Sequence, residues 1–288
     1  MPTTALVTGA SSGLGAEFAA QLAARGHDLV LVARSEDRLT ALAERLAARY
    51  GITAHVLVRD LAEPGAARAI ADRLDALGID IGLLVNNAGF GTCGRFEDIA
   101  ADRDHDQLMV NVVALVGLTH ALLPGMLARG AGAVVNVAST AGFQPAPYFA
   151  VYGAAKAFVL NFGLALRQEC RGRGVRVLTL CPGPVDTPFF EAIGTREAAV
   201  NGSMSTPEPV VRAALAALDR DRAYVTPGFG NALAAHLPPR RPRALVAAFA
   251  ERVTRKVLAS APKAAQDGPA AGPGASAEPA APVTPYAA

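Results

Sequence analysis

Through roughly the first 230 residues, short apolar runs alternate with longer stretches in which apolar positions recur at helical spacing. ALVTG at 5–9 reads as a strand, and LGAEFAAQLAARG as the helix that Gly26 ends. DLVLVAR at 28–34 is the next strand. A helix over 35–51 follows, with Ser35 at its N-cap and Gly51 as its stop. TAHVLVRDL, IGLLVNNAG, AGAVVNVAS and VRVLTLCPG supply four more strands, and AYVTPG at 223–228 a last one. These runs are apolar almost throughout instead of alternating, as burial on both faces of a parallel sheet requires. The repeated βα units predict a doubly wound α/β fold in three layers around a mostly parallel, seven-stranded sheet.

The pattern changes after residue 230. Residues 231–260 form a basic, amphipathic C-terminal extension in which Leu245, Val246, Phe249, Val253 and Val257 make a helical stripe. Such a stripe suits a helix docked on its own domain or on a sister subunit, which is the favoured reading. It also suits a helix lying on an anionic membrane through residues 240–258. Residues 261–288 are mostly Ala, Pro and Gly and are expected to be disordered. The uncharged stretch 107–128 has a span's hydropathy, but Asn111, His120 and Pro124 inside it favour a buried helix of a large core.

With 51% hydrophobic and 18% charged residues the chain can bury a large core. A net charge of +2 and the absence of Trp give no case for nucleic acid. Cys93, Cys170 and Cys181 form neither a CxxC nor a Cys/His ligand spacing, so no metal is expected, and their sparse use fits a reducing cytoplasm. The N-terminus lacks the basic and apolar regions of a secretory signal.

Candidate chemistry enters directly after the first strand. TGASSGLG places Gly9, Ser11, Ser12, Gly13, Leu14 and Gly15 at a strand-to-helix turn. Glycines there let the backbone approach a pyrophosphate, and the helix N-terminus offers unpaired N–H groups. The second strand ends at Ala33 and Arg34 without an acid to bond the ribose hydroxyls, and Arg34 can fork onto a 2′-phosphate. That selects NADP over NAD. Farther along, YGAAK sets Tyr152 and Lys156 one helical turn apart, a spacing that puts both on one face.

TGASSGLG, NNAG at 86–89, Ser139, YGAAK and PG at 182–183, in this order, resemble the short-chain dehydrogenase/reductase family over about residues 3–230. The resemblance is to a bacterial member and implies a Rossmann-type catalytic domain over 1–230. It implies a catalytic tetrad of Asn111, Ser139, Tyr152 and Lys156. Asp60 and Leu61 match the pair that holds the adenine; Asn87, Ala88 and Gly89 match the turn along the ribose. Pro182, Gly183, Val185 and Thr187 match the segment that grips the carboxamide, and Tyr152 and Lys156 also touch the cofactor. Ser12 departs from members with a basic residue at that place, which leaves Arg34 as the support for NADP.

Carbonyl reduction needs hydride at carbon and a proton at oxygen, and Tyr152 is the expected proton donor. An ammonium ~5 Å away at an effective dielectric of ~20 favours the phenolate by roughly 3 kcal/mol, which would lower its pKa by about two units. Ser139 would orient the substrate oxygen, and by the resemblance Asn111 would hold a water linked to Lys156. Phe90, Phe143, Phe149 and Phe189, with Cys93, Tyr148 and Phe190 nearby, lie in loops expected to line a pocket for an apolar or aromatic carbonyl compound. The apolar helix after Tyr152 is expected to be buried on several sides, and by the resemblance to pair in a homodimer or homotetramer. The alternative function is a non-catalytic NADP-binding sensor or scaffold. The expected location is cytoplasmic, with a peripheral membrane contact as a further option.

Overall fold

The computed structural model describes residues 3–193 and 204–260; the Ala/Pro-rich stretch 261–288 and the Val257 side chain lie outside the described residues. Seven strands form one sheet: β1 (Thr4–Thr8), β2 (Leu29–Ala33), β3 (Ala54–Val58), β4 (Ile81–Asn86), β5 (Gly132–Val137), β6 (Val175–Leu180) and β7 (Tyr224–Val225). Their order is β3-β2-β1-β4-β5-β6-β7, and every pairing is parallel. Six fall inside the apolar runs named above and β1 starts one residue before its run, so the α/β, doubly wound architecture is as expected.

Helices α1 (Gly13–Ala24), α2 (Glu36–Tyr50) and α8 (Pro207–Asp219) cover one face of the sheet. Helices α3 (Ala66–Leu77), α5 (Ala114–Ala128) and α6 (Ala150–Cys170) cover the other. Successive strand residues point to opposite faces. Val7 therefore joins Phe18 and Leu22 in one layer, while Leu6 joins Leu118 and Met126 in the other. Both neighbourhoods are apolar, which is why the strand sequences carry no alternation.

Local signals mostly behave as read. Gly51 ends α2 in the left-handed region at φ 69°, donating to Ala47 O. Ser35 does occupy the N-cap of α2, but its side chain makes no capping hydrogen bond. Ahead of α5, α4 (Ala101–Leu108) continues through a π-helical turn, Met109–Val113, into one helical segment. That segment is the one helix among the described residues long and apolar enough to cross a membrane, and 28% of its most apolar window is buried. It was expected to be a buried core helix; instead one face packs on the sheet while Leu108 and Val113 are exposed. On α6, Phe158 is likewise exposed and stacks on Phe162 at 5.8 Å between ring centroids, so α6 is not buried all round.

Strand order reverses between β1 and β4, which opens a crevice beyond the carboxyl ends of the strands. Gly9, Asn87, Ser139 and Pro182 lie just past the ends of β1, β4, β5 and β6 and all line this crevice. The remaining helices α7 (Phe189–Ile193), α9 (Phe229–His236) and α10 (Arg243–Ser260) contribute to its walls.

Candidate active site

The crevice is a single cavity of about 1440 Å³, larger than the ~300–1,000 Å³ of common one-ligand pockets. Its inner end is shaped by backbone. Gly9 and Gly13 have φ of 65° and 53°, where an L side chain is strained. A Cβ on Gly9 would meet Ala88 Cα at 2.9 Å, and one on Gly13 would meet Thr187 at 3.0 Å. Gly15 does not line the cavity; a Cβ there would overlap the Gly9 carbonyl, so this glycine seats α1 on the loop. Ser11, Ser12 and Leu14 do line it, and Ser12, the N-cap of α1, makes no side-chain capping bond. A cradle floored by two glycines and edged by small serines at a helix N-terminus fits a pyrophosphate.

Thr8, a residue sequence reasoning missed, ties this loop to the neighbouring strand. Its hydroxyl accepts from the Asn87 and Ala88 amides, each at 2.9 Å. The Asn87 side chain donates to Thr8 O at 2.9 Å. The ends of β1 and β4 are thereby locked together, with Ala88 and Gly89 held along the cavity floor.

At one edge Arg34, Arg38 and Arg59 all line the cavity, beside Asp60 and Leu61. Arg34 is 75% exposed and its Nη1 lies 3.7 Å from the Asp60 carboxylate, too long for a strong pair. Two of the three guanidinium groups were not anticipated. Arg59 meets Arg34 because β2 and β3 are adjacent and end together, and Arg38 follows on the first turn of α2. This edge suits a phosphate on the adenosine ribose.

Ser139, Tyr152 and Lys156 converge on the cavity from the end of β5 and the first turns of α6. Lys156 is buried; its ammonium lies 5.8 Å from the Tyr152 ring centroid and donates to Val137 O at 2.8 Å. Burial pulls the Lys156 pKa down to about 8. Burial also pushes the Tyr152 phenol up to about 12, against the lowering influence of its hydrogen bond with Ser139. The phenol is therefore raised where a lowering by its lysine was expected: loss of water around it dominates, and the lowering influence comes from Ser139.

Asn111, on the π-helical turn, is also buried. Its amide donates to Phe90 O at 2.8 Å and accepts from Phe90 N at 3.1 Å. The side chain is thus engaged with the main chain after NNAG, and it does not line the cavity. A Cβ on Gly89 would lie 2.8 Å from the Asn111 oxygen and 3.4 Å from Lys156 Nζ, so this glycine lets the three approach.

Pro182, Gly183, Val185 and Thr187 line the cavity opposite the glycine loop. The Asn231 amide, held by Pro227 O at 3.0 Å, fills the space a Cβ on Gly183 would need. Of the expected pocket aromatics, Phe90, Phe149, Phe189 and Phe190 line the cavity. Phe189 packs on Tyr152 at 5.4 Å between centroids, and Arg103 sits 4.6 Å over the Phe90 ring. Phe143 does not reach the cavity: the 3-10 turn Thr140–Phe143 swings its ring onto His236 at 5.0 Å and Tyr224 at 6.2 Å. Cys93 is buried behind Phe149, and Tyr148 points to α10, where its hydroxyl donates to Glu251 at 2.7 Å. Of the helical stripe of the C-terminal extension, Leu245, Val246, Phe249 and Val253 line the cavity.

Comparison with known proteins supplies the context for this geometry. A family model described as short chain dehydrogenase matches residues 3–198. Sulfoacetaldehyde reductase 2 of Chromohalobacter salexigens is 40% identical over 191 residues, covering 66% of this chain and 75% of that protein. A very-long-chain 3-oxoacyl-CoA reductase of Anas platyrhynchos is 35% identical over 217 residues, 73% of this chain and 67% of that one. Among solved structures, a short-chain dehydrogenase from Sphingobium yanoikuyae in complex with NADPH superposes with a TM-score of 0.75 at 35% identity, covering 90% of this chain and 95% of its own. A 7beta-hydroxysteroid dehydrogenase gives a TM-score of 0.78 at 28% identity, covering 86% and 96%.

Proposed function

The chain belongs to the short-chain dehydrogenase family, and from that premise we propose that it is an NADP(H)-dependent reductase of an apolar carbonyl compound in which Tyr152 gives the proton. It is an oxidoreductase of the C=O/CH–OH pair, with a Rossmann-type fold that binds NAD(P). The observation that carries the finer reading is the convergence of Ser139, Tyr152 and Lys156 on a cavity whose other side is the glycine-rich cradle at the start of α1.

NADPH, when bound, supplies hydride to the carbonyl carbon. This chain's residues handle the oxygen. As the C=O electron pair moves onto oxygen, the Tyr152 hydroxyl transfers its proton there and becomes a phenolate. A phenol at about 12 stays protonated until an alkoxide, a much stronger base, develops beside it. Ser139 donates to the same oxygen and orients it. Lys156, with its ammonium 5.8 Å from the ring, stabilises the phenolate. Asn111 positions Phe90 and the turn beside Lys156 through its two bonds to the Phe90 main chain. Phe149 and Phe189 present apolar surface to the substrate, and Arg34, Arg38 and Arg59 favour the 2′-phosphate of NADP over the free hydroxyl of NAD.

We assign the enzyme to the cytoplasm as a homo-oligomer paired through the apolar faces that α5 and α6 leave uncovered. The sensor or scaffold alternative would need a disrupted cluster at Ser139, Tyr152 and Lys156, and none of these positions is missing. Tyr152→Phe decides between them: NADPH affinity, read by cofactor fluorescence, is retained while kcat falls by about 10²–10⁴. Turnover within a few-fold of wild type would remove Tyr152 as the proton donor. In wild type, the reduction rate declines as pH rises through about 8, where Lys156 loses the charge that stabilises the phenolate. A profile flat from pH 7 to 9 would exclude that role.

A further inference from the structure

Beyond Tyr152 the cavity continues outward along residues that follow the sheet. Leu233 on α9, Leu237, and Val246, Phe249 and Val253 on α10 form this outer wall, and all are apolar. Leu245 and Phe249 line the cavity while 66% and 71% exposed, which makes them its rim. Leu245 and Phe249 lie one turn apart on α10, and Arg241, two residues before that helix begins, also lines the cavity. The rim thus carries apolar surface and a cation.

Arg241 differs from the arginines that are held in close ion pairs. Arg25, Arg129, Arg167 and Arg212 each pair with a carboxylate at 3.0 Å or less. Arg241 lines the cavity, is exposed, and among the described residues has no side-chain hydrogen bond or ion pair. Arg103, the other guanidinium near the substrate end, is committed to the Phe90 ring.

We propose that the substrate is an anionic amphiphile: an apolar chain or ring body that carries the reacting carbonyl at one end and a carboxylate, sulfonate or phosphate at the other. This rests on the reductase reading above. An unpaired anion is costly to bury, so the charged end stays at the rim with Arg241 and the uncharged carbonyl end goes in toward Tyr152. The rim therefore sets which end of the molecule reaches the proton donor. An exposed ion pair of this kind contributes a factor of about two to five in affinity.

The test titrates monomeric decanoate into the NADPH-loaded full chain by calorimetry. Saturable binding is expected, weakened about two- to fivefold by Arg241→Gln and by about 0.5 M NaCl. No saturable binding, or binding indifferent to Arg241→Gln, overturns the proposal. So does binding of anionic phosphatidylglycerol vesicles without binding of monomeric decanoate, which would make the rim a membrane contact instead. Turnover then compares 10-oxodecanoate with its methyl ester. A kcat/KM ratio above one that falls to one in Arg241→Gln supports the amphiphile. Equal turnover of both in wild type leaves the reductase intact and removes the amphiphile. Decanoate binding that depends on Arg241, with neither aldehyde reduced, supports the anionic rim and counts against the reductase.

Discussion

The two ends of the cavity are built on opposite principles. At the glycine loop, backbone does the shaping: Gly9 and Gly13 adopt positive φ, and Thr8 and Asn87 pin the loop to β4 through buried hydrogen bonds. At α9 and α10, side chains do it: the wall is apolar, Phe229, Leu245 and Phe249 are well exposed, and few directional bonds fix the helices. On the function proposed above, the first end would recognise a feature common to every dinucleotide and can be rigid. The second meets a substrate whose shape is the variable part, and non-directional contacts with fewer constraints suit it. Pre-organisation lowers the entropic cost of binding at one end; adaptability is retained at the other.

The largest test of this contrast exchanges glycine for alanine at both ends. Gly9→Ala puts a Cβ 2.9 Å from the Ala88 main chain and holds an L residue at φ 65°. The left-handed conformation alone costs about 1–2 kcal/mol, and the backbone shift adds to it. A lower Tm and a loss of NADPH affinity of tenfold or more are expected. Gly230→Ala, at a cavity-lining position on α9 with nothing within 4 Å of the added Cβ, should leave NADPH affinity unchanged and raise Tm slightly. Equal damage from both substitutions would end the distinction between a rigid and an adaptable end.

A smaller effect is expected at the adenosine edge, which is open to solvent yet directional. Arg34→Asp should shift the NADPH-to-NADH preference by roughly tenfold toward NADH. Because Arg38 and Arg59 share the edge, some preference should survive the single change and vanish only when all three are replaced. A preference ratio unmoved by Arg34→Asp would take Arg34 out of the phosphate site.

These features were unequally legible in the sequence, and the reasons are physical. Strands buried on both faces leave a compositional trace, so the sheet could be read from its apolar runs. Gly9 and Gly13 announce themselves because almost no other residue tolerates their φ. The Tyr152–Lys156 spacing is local to one helix. Thr8, by contrast, looks like any threonine in a strand until β4 lies beside it. Arg59 joins Arg34 only through the order of the sheet. A helical stripe such as Leu245, Val246, Phe249 and Val253 reads the same whether it faces lipid, a subunit or a cavity. Phe143 and Phe149 sit in one loop, and a single 3-10 turn decides which ring reaches the pocket. The Tyr152 phenol went astray for a related reason: the ammonium is visible in the sequence, but the burial that raises the phenol is not.

The finest test concerns a directional tie between the adaptable wall and the segment that leads into the catalytic helix. Tyr148 holds a φ of 65°, unusual for an aromatic residue, and its hydroxyl donates to Glu251 on α10 at 2.7 Å. Arg255 binds the same carboxylate oxygen, with Nε at 2.8 Å, and both neighbours hold the Glu251 carboxyl below its usual range. Phe149, the next residue, caps α6 and lines the cavity, so the tie couples the position of α10 to the start of the helix that bears Tyr152. Tyr148→Phe keeps the ring and removes only the donor. Because Arg255 still holds Glu251, amide exchange along α10 should quicken by a few-fold, on the order expected for losing one exposed bond, while exchange in β1 and α1 stays as it was. KM for a bulky carbonyl substrate should rise with kcat little changed, since the wall moves and the proton donor does not. Unchanged exchange along α10 would mean that the apolar contacts of Val246 and Ala250 hold the helix by themselves, and faster exchange in α1 as well would mean that the two ends of the cavity are one mechanical unit after all.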